Sequence, residues 1–100
     1  MPALKFSFPN PLNQADATER LKQLFERLKQ QHSEKFSDLQ ENWVDNVLKF
    51  AFSTYGFKIQ GDLSVTDEEV RLDGTIPFTA MIFKGKIEKE LKETLSRILT

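Results

Sequence analysis

The sequence predicts a two-layer α+β fold: an antiparallel meander sheet of four to five strands with two helices packed on one face. The expected order is strand, helix, strands, helix. Between residues 47 and 76, apolar residues alternate with polar ones, which is typical of strands with one buried face. After Asn13, and again after Pro77, apolar residues recur every three or four positions, which is the spacing of one helix face.

Length and composition point to one domain, residues 1–100. Apolar residues make up 39% and charged residues 29% of the chain, which is ordinary for a soluble globular protein. The net charge of −1 gives no broad basic surface for nucleic acid. There is no cysteine, so disulfides and thiolate chemistry are excluded. Without a signal peptide or an apolar run long enough for a membrane span, we expect a cytoplasmic protein.

The first strand and the first helix come from the N-terminal third. Residues 3–8 alternate as a short strand, and Pro9 and Pro11 end it and favour a sheet edge. Asn13 is a capping residue three positions before Asp16, which indicates a helix start. The helix carries one apolar stripe and should end between residues 33 and 37. The stripe consists of Ala17, Leu21, Leu24, Phe25, Leu28 and His32.

The middle of the chain predicts the meander. A brief strand over residues 39–44 precedes the turn signal Asp45-Asn46, and the clearest strand follows over residues 47–55. Gly56 breaks that strand, and residues 57–65 and 70–76 form two more around a polar turn. Connections this short join only antiparallel neighbours.

One amphipathic helix is expected after Pro77, lying on the apolar face of the sheet. Its stripe is Ala80, Phe83, Ile87, Leu91, Leu95 and Ile98.

Four segments resemble the polyhydroxyalkanoic acid system family. They are Trp-Val-Asp-Asn-Val-Leu-Lys-Phe at residues 43–50, Gly-Asp-Leu-Ser-Val at 61–65, Ile-Pro at 76–77, and Phe-Lys-Gly-Lys-Ile-Glu at 83–88. The resemblance extends from about Leu4 to Leu99 and is best from Trp43 onward. The chain departs at Asn46, near which the family often has glycine.

The resemblance implies a role but no reaction. Members are small bacterial proteins whose genes lie near polyester-granule genes, so the resemblance implies a granule-associated accessory protein of polyhydroxyalkanoate storage. The family has no established catalytic residues, and none is carried over. We therefore expect no enzymatic activity and no cofactor.

The titratable residues favour structural roles. His32 is the single histidine, and with no cysteine and no second histidine the sequence does not indicate a three-ligand zinc site. A nucleophilic serine would have to use His32 as its base, and no serine sits in a nucleophile-elbow sequence, so no triad is predicted. A partly buried boundary residue is the simpler interpretation. The acids Asp62, Asp67, Glu68, Glu69 and Asp73 could pair for acid–base chemistry or bind a divalent ion. Their positions in a turn and on the polar strand face favour solvated charges.

Two groups of residues near the last helix are candidate binding surfaces. Phe78, Met81, Ile82 and Phe83 place four large apolar residues within six positions, and they are either core or an exposed contact patch. Lys84, Lys86, Lys89 and Lys92 could form a basic helix face toward an anionic surface. Interleaved glutamates explain the same lysines as a solvated helix.

Two functions follow from these features. The first is a non-enzymatic accessory protein of polyhydroxyalkanoate storage that contacts a protein partner or the granule surface, with a homodimer left open. The alternative is a small binder or carrier of an apolar acyl ligand held between the sheet and the C-terminal helix. A void of roughly a few hundred Å³ would favour the alternative, because a drug-sized ligand needs that volume.

Overall fold

The computed structural model describes residues 2–31, 37–54 and 56–99, and within these ranges it has five strands and two α-helices. The bounds in chain order are β1 (Ala3–Pro9), α1 (Gln14–Gln31), β2 (Ser37–Val44), β3 (Val47–Thr54), β4 (Phe57–Val65), β5 (Glu69–Thr75), a 3₁₀ helix (Phe78–Phe83) and α2 (Lys84–Ile98). The predicted α+β class and element order are confirmed.

The five strands form one open antiparallel sheet in the order β1-β5-β4-β3-β2. The hairpins β2–β3, β3–β4 and β4–β5 are the predicted meander. The last strand, β5, also pairs with β1, which forms one edge of the sheet. The register aligns an apolar row across all five strands. That row is Phe6, Leu72, Leu63, Leu48 and Trp43.

The apolar sheet residues share one core with both helices. Leu48, Ile59 and Leu63 are fully buried or nearly so, and α1 adds Leu21 while α2 adds Ile87 to the same cluster. Residues that alternate with them along the strands, such as Lys49 and Arg71, are exposed. This shared core favours the predicted packing of both helices on one face, which stays a prediction.

The start of α1 follows the predicted cap. The Asn13 side-chain Oδ1 accepts a hydrogen bond from the Asp16 backbone N–H at 2.7 Å, which satisfies one of the unpaired donors of the first turn. The predicted end of this helix and its stripe residue His32 lie outside the described residues.

The region after Pro77 differs from the single predicted helix. Pro77 is extended (φ −64°, ψ 153°), and the Ala80 N–H donates to its carbonyl at 3.0 Å, starting a 3₁₀ turn. Phe83 has φ −98° and ψ 0°, outside the α region, and α2 begins after it. This change of helix type rotates the side chains. Phe83 is therefore exposed rather than buried with Ile87.

A pair of glycines lies opposite each other in the centre of the sheet. Gly61 of β4 pairs with Gly74 of β5. A Cβ on Gly61 would collide with the Asp73 carbonyl oxygen, and one on Gly74 would lie 2.9 Å from the Gln60 carbonyl oxygen. The two strands approach closely here because neither residue has a side chain.

Candidate functional site

The four apolar residues of the predicted contact patch lie on the 3₁₀ helix, and all four are exposed. Their exposed fractions are 71% for Phe78, 49% for Met81, 84% for Ile82 and 42% for Phe83. In this helix only Ala80 is buried. We call these four residues the junction patch.

Local geometry explains why the junction patch faces outward. A 3₁₀ helix has three residues per turn, so a six-residue piece can turn only a narrow side to the core. Ala80 occupies that side. The ring centroid of Phe83 lies 6.0 Å from that of Phe57, which packs against the core. The junction patch is therefore attached to the core at one edge.

The predicted basic helix face is mixed in charge. Lys86, Lys89 and Lys92 are exposed on α2, whereas Lys84 is half-buried at its first turn. Glu90 and Glu93 are also exposed on this helix. The three exposed lysines therefore lie in the first half and the middle of α2, which follows the junction patch. Acidic residues are interleaved with them, as the solvated-helix interpretation expects.

A cavity of about 780 Å³ lies between the two helices and the sheet, which we call the helix–sheet cavity. Residues of α1, α2 and strands β2 to β5 line it. Of the sixteen described residues that line it, twelve are apolar, so its wall suits an apolar ligand. The polar lining residues are Thr54, Glu90, Thr94 and Arg97.

The helix–sheet cavity has a buried floor and an exposed rim. Ile59, Leu63 and Leu72 of the central strands form the floor and are almost fully buried. Leu28 of α1 and Leu91 of α2 also line the cavity and are half-buried, so they belong to its rim. Sequence reasoning placed Leu91 in the buried stripe, but the space between the helices leaves it half-buried.

Side-chain contacts fix the elements around this cavity. The Arg20 guanidinium of α1 donates to the Ile98 carbonyl at the end of α2 at 2.9 Å. At the other end of α1, Lys29 Nζ donates to Glu41 Oε1 at 2.9 Å, and Trp43 Nε1 donates to Glu41 Oε2 at 2.8 Å. The hydrogen bond to the Glu41 carboxylate raises the pKa of Lys29. These contacts hold α1 against both α2 and the edge strand β2.

The predicted acidic cluster is divided among ion pairs and backbone contacts. Asp62 and Asp73 are cross-strand partners on the polar face, 4.0 Å from Lys49 Nζ and 3.8 Å from Lys5 Nζ. Asp67 accepts from the Gln14 backbone N–H at 2.8 Å. No group of three or more metal-binding side chains occurs in the described parts of the chain.

The sequence pointed to the junction patch but not to the residues of the helix–sheet cavity. Alternation and helical stripes identify which residues turn inward. They carry no information about the separation of α1 from α2, which sets the volume between them. No sequence signal distinguishes Leu24 or Leu91 as cavity residues from ordinary core leucines.

No helix within the described ranges is both long and apolar enough to cross a membrane. Searches of curated proteins and of solved structures found no match to the chain. A family model for polyhydroxyalkanoic acid system proteins matches residues 5–99. The match includes every described strand and helix except the first two residues of β1. The chain belongs to the polyhydroxyalkanoic acid system protein family.

Proposed function

We propose that this protein is a non-enzymatic, cytoplasmic accessory protein of polyhydroxyalkanoate storage that binds the granule surface, or a protein on it, through the junction patch. The observation that carries the proposal is the exposure of four large apolar side chains on one short helix. Contiguous exposed apolar residues on a small domain usually mark a contact surface.

The chemistry of the junction patch fits a polyester surface. Phe78 and Ile82, the two most exposed members, supply aromatic and branched aliphatic area that gains free energy when it leaves water. Exposed Lys86 and Lys89 follow within two turns, and ammonium groups can interact with carbonyl or anionic groups around an apolar contact. A few such anchors usually carry most of the affinity of a small interface.

The test is co-sedimentation with granules. Phe78→Ser combined with Ile82→Ser should lower the bound fraction of protein several-fold, because both anchors are removed. Val44→Ser is the matched control, since Val44 is 50% exposed on β2 and outside the junction patch. A folded double variant that sediments as fully as wild type would refute this contact site.

The same assay distinguishes binding to the polymer from binding to a protein on the granule surface. Binding to protein-free polyester particles indicates adsorption to the polymer. Binding only to native granules, lost after their surface proteins are digested, indicates a protein partner. Analytical ultracentrifugation of the free protein, with and without the double substitution, tests whether the junction patch instead joins two copies of the chain.

The helix–sheet cavity favours a second candidate function, binding or carrying an apolar acyl ligand. Its volume of about 780 Å³ and its apolar wall are the supporting observations. They meet the size expected of a ligand pocket, roughly 300–1,000 Å³.

Filling the cavity tests this second function. Leu91→Trp places a larger side chain in the opening and should weaken binding of 1-decanol in a calorimetric titration. Lys92→Trp, at the exposed neighbouring position, is the control and should leave binding unchanged. Failure of wild-type protein to bind either 1-decanol or decanoate would rule out the carrier function without affecting the junction-patch proposal.

A further inference from the structure

We infer that the helix–sheet cavity takes a single acyl chain whose carboxylate end lies at the rim beside Thr94 and Arg97. This inference rests on the second candidate function, the binding of an apolar ligand in that cavity. It adds the chemical class of the ligand and the direction in which the ligand lies.

The polar side chains of α2 that line the cavity lie along one edge of it. Glu90, Thr94 and Arg97 are spaced by four and three residues, so they align along one side of the helix. The floor beneath them is apolar, with Leu63 and Leu72 nearly fully buried. A ligand that complements both the polar edge and the apolar floor has one apolar tail and one polar end.

The charge along this edge changes from negative to positive. Glu90 and Arg97 are seven residues apart, which separates them by about 10 Å along the helix axis. At the Arg97 end, the Arg20 guanidinium also lies at the C-terminus of α2, where it donates to Ile98. Arg97 is the lining residue that supplies positive charge at this end of the rim, and a carboxylate is favoured there.

The opposing charge of Glu90 does not cancel this preference. Over about 10 Å, interactions between exposed charges are largely screened at physiological salt. Arg97 already interacts with another group of the protein. A guanidinium has five N–H donors, so a second acceptor can be bound at the same time. Thr94, one turn earlier, adds a hydroxyl donor on the same edge.

The direction of the ligand follows from these positions. The carboxylate accepts hydrogen bonds from Arg97 and Thr94 at the rim. The chain lies along the half-buried Leu28 and Leu91, over the apolar wall of the cavity. Each methylene that moves from water to this apolar wall makes binding more favourable.

Calorimetric titration of the full-length protein with decanoate and with 1-decanol tests the inference. Wild-type protein should bind decanoate more tightly than the uncharged alcohol. Arg97→Gln should weaken decanoate binding about fivefold, the upper range for an exposed ion pair, and leave decanol binding unchanged. Lys92→Gln removes the same charge from the outer side of α2 and should change neither.

Thr94→Val provides a second variant in case Arg97→Gln does not fold. It keeps the side-chain shape, removes the hydroxyl, and should weaken decanoate binding. Equal binding of acid and alcohol, with no effect of either substitution, would overturn the carboxylate assignment while the cavity function stands. If neither compound binds wild-type protein, both the cavity function and this inference are wrong.

Discussion

Within the described ranges the chain passes from strand to helix twice, and these two strand-to-helix connections, here called joints, are stabilised differently. Between β1 and α1, Asn10 donates through Nδ2 to the Thr66 carbonyl at 2.9 Å and accepts through Oδ1 from the Leu12 N–H at 2.9 Å. Gln14 donates to the Val65 carbonyl at 2.9 Å. Between β5 and α2, neither the 3₁₀ helix nor α2 has a side-chain cap, and the junction patch is exposed.

This difference separates a structural joint from a candidate contact surface. The first joint satisfies backbone donors and acceptors with side chains and ties α1 to the β4–β5 turn, which stabilises the folded state. The second leaves large apolar area in water, which contributes little to the stability of the isolated domain. Apolar residues that the fold does not use are available for a partner.

The largest expected effect on stability is at the first joint. Asn10→Ala removes two hydrogen bonds and leaves the half-buried Thr66 carbonyl and Leu12 N–H without these partners. We expect the free energy of unfolding to fall by about 1–3 kcal/mol in a urea titration. A loss below about half a kcal/mol would mean that the side-chain contacts of this joint contribute no more to the stability of the fold than the second joint does.

Loss of the helix cap should have a smaller effect. Asn13→Ala removes the hydrogen bond to the Asp16 N–H and should lower the free energy of unfolding by about 1 kcal/mol. Asn13→Ser keeps a capping oxygen and should recover most of that loss. If both variants unfold at the same urea concentration as wild type, the observed cap does not stabilise α1.

At the second joint, a substitution should stabilise the protein. Gly85 is the second residue of α2, and a Cβ added there meets no atom within 4 Å. Gly85→Ala should raise the free energy of unfolding by about 0.5 kcal/mol, because alanine loses less backbone entropy in a helix. Gly61→Ala is the opposite control, since its Cβ collides with the β5 backbone. A destabilised Gly85→Ala variant would show that this joint needs glycine for its own folding.

The smallest expected effect is that of Phe78→Ser combined with Ile82→Ser. Both side chains are mostly exposed, so the free energy of unfolding should change by less than about 0.5 kcal/mol. A thermal melt monitored by circular dichroism measures this. A large loss of stability would place the junction patch in the core and remove the contrast between the two joints. The companion change Met81→Ser with Phe83→Ser should cost more, because Phe83 contacts Phe57.

Much of the fold was predictable because its signals are local. Alternation in residues 57–65 and the cap at Asn13 depend on neighbours a few positions away, and β1 was identified as an edge from Pro9 and Pro11. The break at Phe83 was not predictable. The apolar spacing continues through it, while backbone angles after Pro77 impose a 3₁₀ turn.

The candidate sites show the same difference between what local sequence signals predict and what the tertiary structure decides. The sequence by itself determined that Phe78, Met81, Ile82 and Phe83 are too many large apolar residues for one helix face to bury. Only the tertiary structure decided that all four are exposed, because Ala80 takes the inward position of the 3₁₀ helix. It also decided that a cavity lies among α1, α2 and the sheet. Distances between distant elements depend on the summed packing of the whole core, and no local pattern encodes them.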